Sequence, residues 1–308
     1  MDAVELVLEA VGATGRQVVV PANCYAGIPA MILTRGATPV PVPVDDHFAP
    51  VLDASLMRRA PIVYWVHHLG VVAPDAGERI TALRKAGCTV VEDCAYVMFG
   101  DDDPVGRWGD ATIVSFGPTK PNSGSGGGAV VSRDTAVIEA VTSLRDHGGQ
   151  EPAWRAGRAA SAIRGRTMSE FEAVVAYQQW RARHDRRARL TALARRYAER
   201  LGDRFGMHER SVQPTWGRLT VDVAPANGRM VQRRLAEEHK VRTSCMYAEP
   251  WFDYPWLQEA AGARGVDWTP LRTALQSRLC VPLHPAMSEG DVDQVCAALT
   301  VVVDDLLA

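Results

Sequence analysis

Short β-branched runs alternate with amphipathic stretches through the first half of the chain. Runs at Gln17–Pro21, Thr38–Val44, Ile62–Val66, Thr89–Glu92, Thr112–Phe116 and Ala129–Ser132 predict strands. Helical patterns lie between several of them, as at Gly77–Ala86 and Thr135–Leu144. Strands alternating with helices imply right-handed crossovers and a largely parallel sheet. Ligand sites in such sheets lie beyond the carboxyl ends of the strands, which directs attention to the residues just after each apolar run.

The pattern changes in the second half. Residues 147–166 are rich in Gly, Ala and Arg and interrupt the alternation. A helical stretch from Met168 to Leu201 is too long for a βαβ crossover and reads as a bridge. A strand near Leu219–Val223, a helix at Arg229–His239, a strand through Val241–Met246 and a last helix from Ser288 then predict a small α+β unit. The expected organisation is a large α/β domain over residues 1–165, a bridging helix over 166–205 and a small C-terminal domain over 206–308.

Composition narrows the function classes. Apolar residues make up 47% of the 308 positions and charged residues 23%, enough to bury a sizeable core. A formal net charge of -2 gives no electrostatic case for nucleic acid or an anionic membrane. The start MDAVELVLEAVG lacks the basic opening of a signal peptide, and no stretch approaches an apolar span, so a soluble cytoplasmic protein is expected. The six cysteines have neither C-x-x-C nor zinc-like spacing and read as small core residues. No metal site is expected.

Three segments carry candidate chemistry. In TVVEDCAY, an apolar run ends at Asp93, a strand-tip carboxylate able to hold a protonated ring nitrogen, although a strand-end Asp can also cap a turn. In ATIVSFGPTKPNSGSGGGAVV, Lys120 follows a strand end within a Gly-Pro-Thr turn, where it could form an imine with a carbonyl, although a lysine in such a turn can also be a plain surface residue. Ser115, just before that turn, could donate to a phosphate. The glycines from Gly124 to Gly128 permit positive φ and close backbone approach. A Walker-type loop is the competing reading, but G-x-x-x-x-G-K-[ST] is absent. In VVVPANCYAG, Tyr25 follows the first strand and could stack on a planar ring or pack in the core.

Five ordered segments, PVPVD after GAT, VHHLG, VVEDCAY, SFGPTK and MSEFEAVVAYQQW, together with VPLHPAMSEGDVDQV near the end, resemble the DegT/DnrJ/StrS-type sugar aminotransferases, a family of fold-type I pyridoxal-phosphate proteins. The resemblance covers essentially the whole chain. It implies a mostly parallel sheet flanked by helices, a smaller C-terminal α+β domain and a homodimer with sites at the subunit interface. It implies pyridoxal 5'-phosphate as cofactor, Lys120 as the lysine of the internal aldimine and Asp93 as the partner of the pyridine nitrogen. Ser115 would bind phosphate, Tyr25 would face the cofactor ring, and Tyr96 occupies the polar position after the E-D-A-A motif. The implied activity is amino transfer to a keto-sugar, cyclitol or related carbonyl of antibiotic or sugar biosynthesis.

The chain departs from this pattern mainly around the phosphate. The family's Gly-Thr pair, aligned on VELVLEAVG, falls at or before Met1, so a truncated or absent phosphate-binding helix N-terminus is expected. Gly165 stands at the position of a phosphate-binding asparagine, with Arg164 or Arg166 as candidate replacements. Gly126 replaces an acid, and Pro121 follows the lysine where asparagine is common. These departures leave two alternatives to amino transfer: another pyridoxal-phosphate reaction of elimination or dehydration type, or a non-catalytic subunit partnering a full-length homologue.

Other features invite blander readings. Adjacent His67 and His68 point apart in an extended segment and suit packing better than metal. The eight arginines within Arg181–Arg200 read as a solvated helix face or dimer surface, and Asp101–Asp103 as a loop. Trp251, Tyr254 and Trp256 read as a satellite core in the small domain or as walls of a substrate pocket.

Overall fold

The computed structural model describes residues 1–146, 165–207, 217–258 and 266–308. In chain order the elements of the first half are α1 (Asp2–Ala10), β1 (Gln17–Pro21), α2 (Gly27–Thr34), β2 (Thr38–Val42), α3 (Ala54–Arg59), β3 (Ile62–Val66), α4 (Ala76–Lys85), β4 (Thr89–Asp93), β5 (Ala111–Ser115), β6 (Gly128–Val131) and α5 (Thr135–Arg145). They are followed by α6 (Glu170–Arg181), α7 (Arg183–Leu201), β7 (Gly206–Met207), β8 (Leu219–Asp222), α8 (Gly228–His239), α9 (Pro255–Gln258), α10 (Thr269–Gln276), β9 (Arg278–Val281) and α11 (Glu289–Leu307).

Six strands form one sheet in the order β2-β1-β3-β4-β5-β6, parallel except for β6, which returns antiparallel to β5. Alternation along the strands divides the core between two faces. Val18, Val20, Ile62, Tyr64, Val91 and Ile113 belong to one apolar cluster. Their neighbours Val19, Val63, Trp65 and Val90 belong to the other. The first cluster is closed by α1, whose Val4, Val7 and Leu8 recur at helical spacing, and by Val137 and Val141 of α5. A second, antiparallel sheet, β7-β8-β9, packs with α7, α8 and α11 around Leu193, Tyr197, Leu219, Leu235 and Leu299.

Local signals set several helix starts. Ser169 and Glu172 form a reciprocal capping box at α6, as do Ser288 and Asp291 at α11. Asp53, Asp134 and Asn227 cap α3, α5 and α8 with side-chain oxygens.

Three expectations require correction. The bridging helix over 166–205 is two helices, α6 and α7, joined at Ala182, whose ψ of 3° departs from helical values. Residues Val241–Met246 form no strand; only Ser244 makes a β-bridge, with Cys280. Trp251 does not sit in a satellite core. It is fully buried in the cluster of the six-stranded sheet with Phe252, Leu257 and Trp268, and its indole Nε1 donates to Pro21 O at 2.9 Å. Most of residues 147–166 lie outside the described residues. Trp251→Ala is expected to destabilise the protein by about 3–5 kcal/mol through lost apolar contact and the cavity left behind; urea unfolding measures this.

Several arginines of α7 work as ties. Arg187 binds Asp103 at 2.7 Å and Arg183 pairs with Asp101, while Arg196 and Arg200 both grip Asp293 of α11 at 2.7–2.8 Å. These two guanidiniums hold the Asp293 carboxyl well below its ordinary range. All six cysteines are free, five buried and Cys245 half-buried.

Candidate active site

Strand order reverses between β1 and β3, so the loops leaving them part and open a crevice at the carboxyl edge of the sheet. A cavity of about 1130 Å³ occupies this crevice and reaches across the ends of β4 and β5. Tyr25, Asp93, Tyr96, Ser115 and Lys120 all line it, so the five residues singled out from the sequence come together.

Asp93 is the last residue of β4, opposite Val66 of β3. It is buried, with Oδ2 accepting from the Tyr64 hydroxyl at 3.0 Å and Oδ1 from the Ala95 N–H at 2.9 Å. Burial raises its carboxyl above the ordinary value, against the opposing pull of these two donors and of Lys120. Burial, then the charge of Asp93, pushes the Tyr64 phenol and the Cys24 thiol upward, so both neighbours stay protonated and neutral.

Lys120 follows β5 in a turn closed by its own N–H donating to Gly117 O at 3.0 Å. Its Nζ sits 3.5 Å from the centroid of the Tyr96 ring, a cation–π distance. Ser115 Oγ accepts from Gly117 N at 3.3 Å, which leaves its hydroxyl hydrogen available to donate. Tyr25 is about half exposed at the rim, its ring lying against Gly27, where an added Cβ would come within 2.4 Å of the ring. That contact explains glycine at the start of α2.

The glycine-rich return serves helix packing. A Cβ on Gly126 would meet Glu172 Oε1 at 2.4 Å, and one on Gly127 would meet Met168 at 2.5 Å. Gly127 also has φ of +84°, so both conformation and close approach require glycine there. The hairpin thus lies directly beneath the start of α6.

Arg166 does reach the cavity, but both of its terminal nitrogens pair with Glu5 of α1, which also binds Arg35 at 2.7 Å. The expectation that Arg166 replaces a phosphate-binding asparagine is not met: its charge is already matched by a carboxylate. Arg164 lies outside the described residues. The first turn of α1 also opens on the cavity, carrying Asp2 and Glu5.

His67 and His68 diverge as expected. His67 Nε2 lies 3.2 Å from Glu92 Oε2, and His68 packs between Phe48 and Tyr247. His67, Glu92 and Cys94 converge as a metal centre would, yet the Glu92 carboxylate is already engaged. Its oxygens accept from His67 and from the N–H groups of Gly106, Trp108 and Gly109, which fastens the loop before β5 to β4.

Sequence reasoning missed Tyr64 and Tyr247. A tyrosine within an otherwise apolar strand needs a hydroxyl partner, and Tyr64 lies two residues before the position paired with Asp93; that was the available signal. Tyr247 reaches the cavity from a segment remote in sequence and gives no such signal. Of the three C-terminal aromatics, Tyr254 lines the cavity, Trp256 is exposed and Trp251 is core.

Comparison with known proteins places this geometry. A curated relative from Acidithiobacillus ferrooxidans, a UDP-N-acetyl-3-dehydro-alpha-D-glucosamine 3-aminotransferase, is 34% identical over 155 residues, covering 48% of this chain and 42% of that protein. The aligned part is therefore less than half of that relative's own length. The erythromycin biosynthesis sensory transduction protein EryC1 of Saccharopolyspora erythraea is 29% identical and aligns with 97% of this chain and 82% of its own. The solved structure of Spr1654 from Streptococcus pneumoniae in its PLP form superposes with a TM-score of 0.82 at 21% identity, covering all of this chain and 86% of that one. At that identity the likeness establishes the fold: a fold-type I PLP-transferase architecture, with a mostly parallel sheet flanked by helices and a small antiparallel sheet. The sequence model of one family matches residues 1–300, and the chain belongs to the DegT/DnrJ/EryC1/StrS aminotransferase family.

Proposed function

We propose that this protein is a pyridoxal-phosphate-dependent aminotransferase acting on a keto-sugar, cyclitol or related carbonyl compound of specialised metabolism. The observation that carries the reading is the placing of Asp93 and Lys120 on one cavity at the carboxyl ends of β4 and β5. The residues present suit the cofactor. A buried carboxylate whose ionised form is disfavoured by burial gains from a cationic ring nitrogen, because each charge favours the other. Tyr25 offers a ring face at the rim, and Ser115 a hydroxyl for the phosphate.

When bound, pyridoxal phosphate supplies an electron sink for the pair released at the substrate carbon that carries nitrogen. Asp93 would keep the ring nitrogen protonated, its carboxylate oriented by Tyr64 and the Ala95 N–H. Lys120 would hold the cofactor through its amine, and the same amine would move the proton at that carbon. Val66 and Ile113 line the same space with apolar surface and limit water. Tyr96 carries the Lys120 amine on its ring face.

The partner in this reading is a second copy of the chain. Along α6, Phe171 (72% exposed), Val174 and Tyr177 form an uncovered apolar stripe, and Met168 and Glu172 beside it line the cavity. A stripe of that kind favours a homodimer whose interface borders the site. No helix among the described residues is long and apolar enough to cross a membrane; a cytoplasmic location belongs to the same proposal, as does the division at about residues 165 and 205.

Adding pyridoxal phosphate to the purified protein is expected to produce a visible absorbance band that borohydride abolishes, fixing the cofactor mass on the Lys120 peptide. Amino-donor consumption with keto-acid release then identifies amino transfer. A protein that takes up the cofactor without releasing keto acid points to elimination or dehydration instead. One that ignores the cofactor overturns the reading.

A further inference from the structure

A column of side chains runs from β9 to Lys120. The Arg278 guanidinium lies 5.1 Å from the centroid of the Phe48 ring, and Phe48 packs on His68 with centroids 4.6 Å apart. His68 in turn packs on Tyr247 at 5.3 Å. The Tyr247 hydroxyl donates to that of Tyr96 at 3.4 Å, and Lys120 Nζ rests 3.5 Å from the Tyr96 ring centroid. A cation stands at each end, with aromatic surface between them.

The backbone is unusual along this column. Among the described residues, four non-glycine positions have positive φ; Phe48 (60°) and Tyr247 (56°) are in the column, and Leu69 (54°) packs with Tyr96 and Tyr247 in one apolar cluster. Side chains bearing a Cβ pay for that conformation and keep it only where surrounding contacts over-determine it, as at binding and catalytic sites. Tyr247 itself is carried by the segment that pairs with β9, through Ser244 N to Cys280 O at 3.1 Å and Cys280 N to Ser244 O at 2.8 Å. Burial, and then the neighbouring Tyr96, raises the Tyr247 phenol, so it stays a neutral donor.

We propose that Tyr247 is a positioning residue that holds the Tyr96 ring beneath the Lys120 amine, so that the seating of its segment on β9 sets how firmly the lysine is held. The inference rests on the reading of Lys120 as the reactive amine. No bond is made or broken by Tyr247; it acts through Tyr96.

The chain has only three lysines, Lys85, Lys120 and Lys240, which makes the test direct. Cofactor-free protein is acylated briefly with acetic anhydride and the three sites are quantified by peptide mass spectrometry, Lys85 and Lys240 serving as internal references. Tyr247→Phe, which keeps the ring and removes the hydroxyl, is expected to raise the relative Lys120 rate about twofold. Tyr96→Leu, which removes the ring, is expected to raise it about fivefold, the size of a lost cation–π contact. Tyr96→Phe removes the acceptor from the other side and is expected to match Tyr247→Phe, which keeps the test open should either variant fold poorly. Lys120 labelling unchanged or slower in both phenylalanine variants, with thermal melts like the parent, overturns the inference. Failure of the parent protein to fix pyridoxal phosphate on Lys120 would instead overturn the functional reading, and leaves the labelling comparison standing.

Discussion

Lys120→Ala is expected to remove turnover by a factor on the order of a hundred to ten thousand, the range attributed to a positioned general acid–base group. The covalent attachment of the cofactor is lost as well, so the borohydride-fixed mass should disappear from the peptide that spans residue 120. The fold should persist. The Nζ contact is with the face of Tyr96, and no buried carboxylate depends on Lys120 for its only partner, since Asp93 retains Tyr64 and the Ala95 N–H. Turnover with the amino donor, followed by keto-acid release, measures the first effect, and a thermal melt checks the second. A Lys120→Ala protein that turns over at the parent rate would remove Lys120 from the chemistry.

Asp93→Asn is expected to divide activity from stability. An opposite charge commonly shifts a titrating partner by about 1–3 pH units, so losing the carboxylate should lower turnover about 10- to 1000-fold through a ring nitrogen no longer held protonated. The cofactor-free protein should gain stability at neutral pH. In the parent, burial raises the folded-state value of Asp93 above its unfolded value. Between those two values the folded state keeps a proton that the unfolded chain has released, so stability falls as pH rises through that window, and the full penalty applies above it. Asparagine cannot ionise and avoids the penalty. Its amide can still accept from one of the two donors, Tyr64 or Ala95. Melting of both proteins from acidic to neutral pH should show curves that meet below the ordinary carboxylate range and separate above it. A variant less stable than its parent at neutral pH, with an unaltered pH slope, would contradict this account.

The parts of the molecule that were legible in the sequence share a physical basis. Alternation of β-branched and amphipathic runs placed the six strands of the larger sheet to within a residue or two, because both faces of that sheet are covered, whereas β7 and β9 went unpredicted. Gln17–Pro21 and Ile62–Val66 match at both ends, and the Ser288 capping box marks the last helix. The placing of Asp93 and Lys120 on one cavity follows from strand ends, which a pattern can locate. The errors lie where tertiary contact decides. Residues Val241–Met246 have the β-branched look of a strand but find only one pairing partner, at Cys280. Helices α6 and α7 read as one because nothing in the sequence around Ala182 announces a break. Arg166 looked like a phosphate ligand until Glu5, 161 positions earlier, appeared beside it. The partnership of Tyr64 with Asp93 depends on register between β3 and β4, and the approach of Tyr247 to Tyr96 joins residues 151 positions apart. Neither leaves a local trace.

The burial of Trp251 carries a consequence for how the chain behaves as a whole. The polypeptide leaves the six-stranded sheet after α5, builds most of the three-stranded layer, and sends Trp251, Phe252, Leu257 and Trp268 back to complete the face beneath β1 before returning to form β9. A cut between the two sheets therefore does not yield two self-sufficient pieces. The N-terminal piece would expose Val18, Val20 and Ile28 where Trp251, Phe252 and Trp268 belong, and the C-terminal piece would carry those aromatics with nothing to cover them. The six-stranded sheet draws part of its interior from the chain that builds the three-stranded layer, whose own core comes from Leu193 onward, so unfolding the second should strip the first of its cover. Cooperativity here comes from a chain that is interlaced, the six-stranded sheet being unable to complete its interior until the C-terminal part has supplied Trp251 and its neighbours.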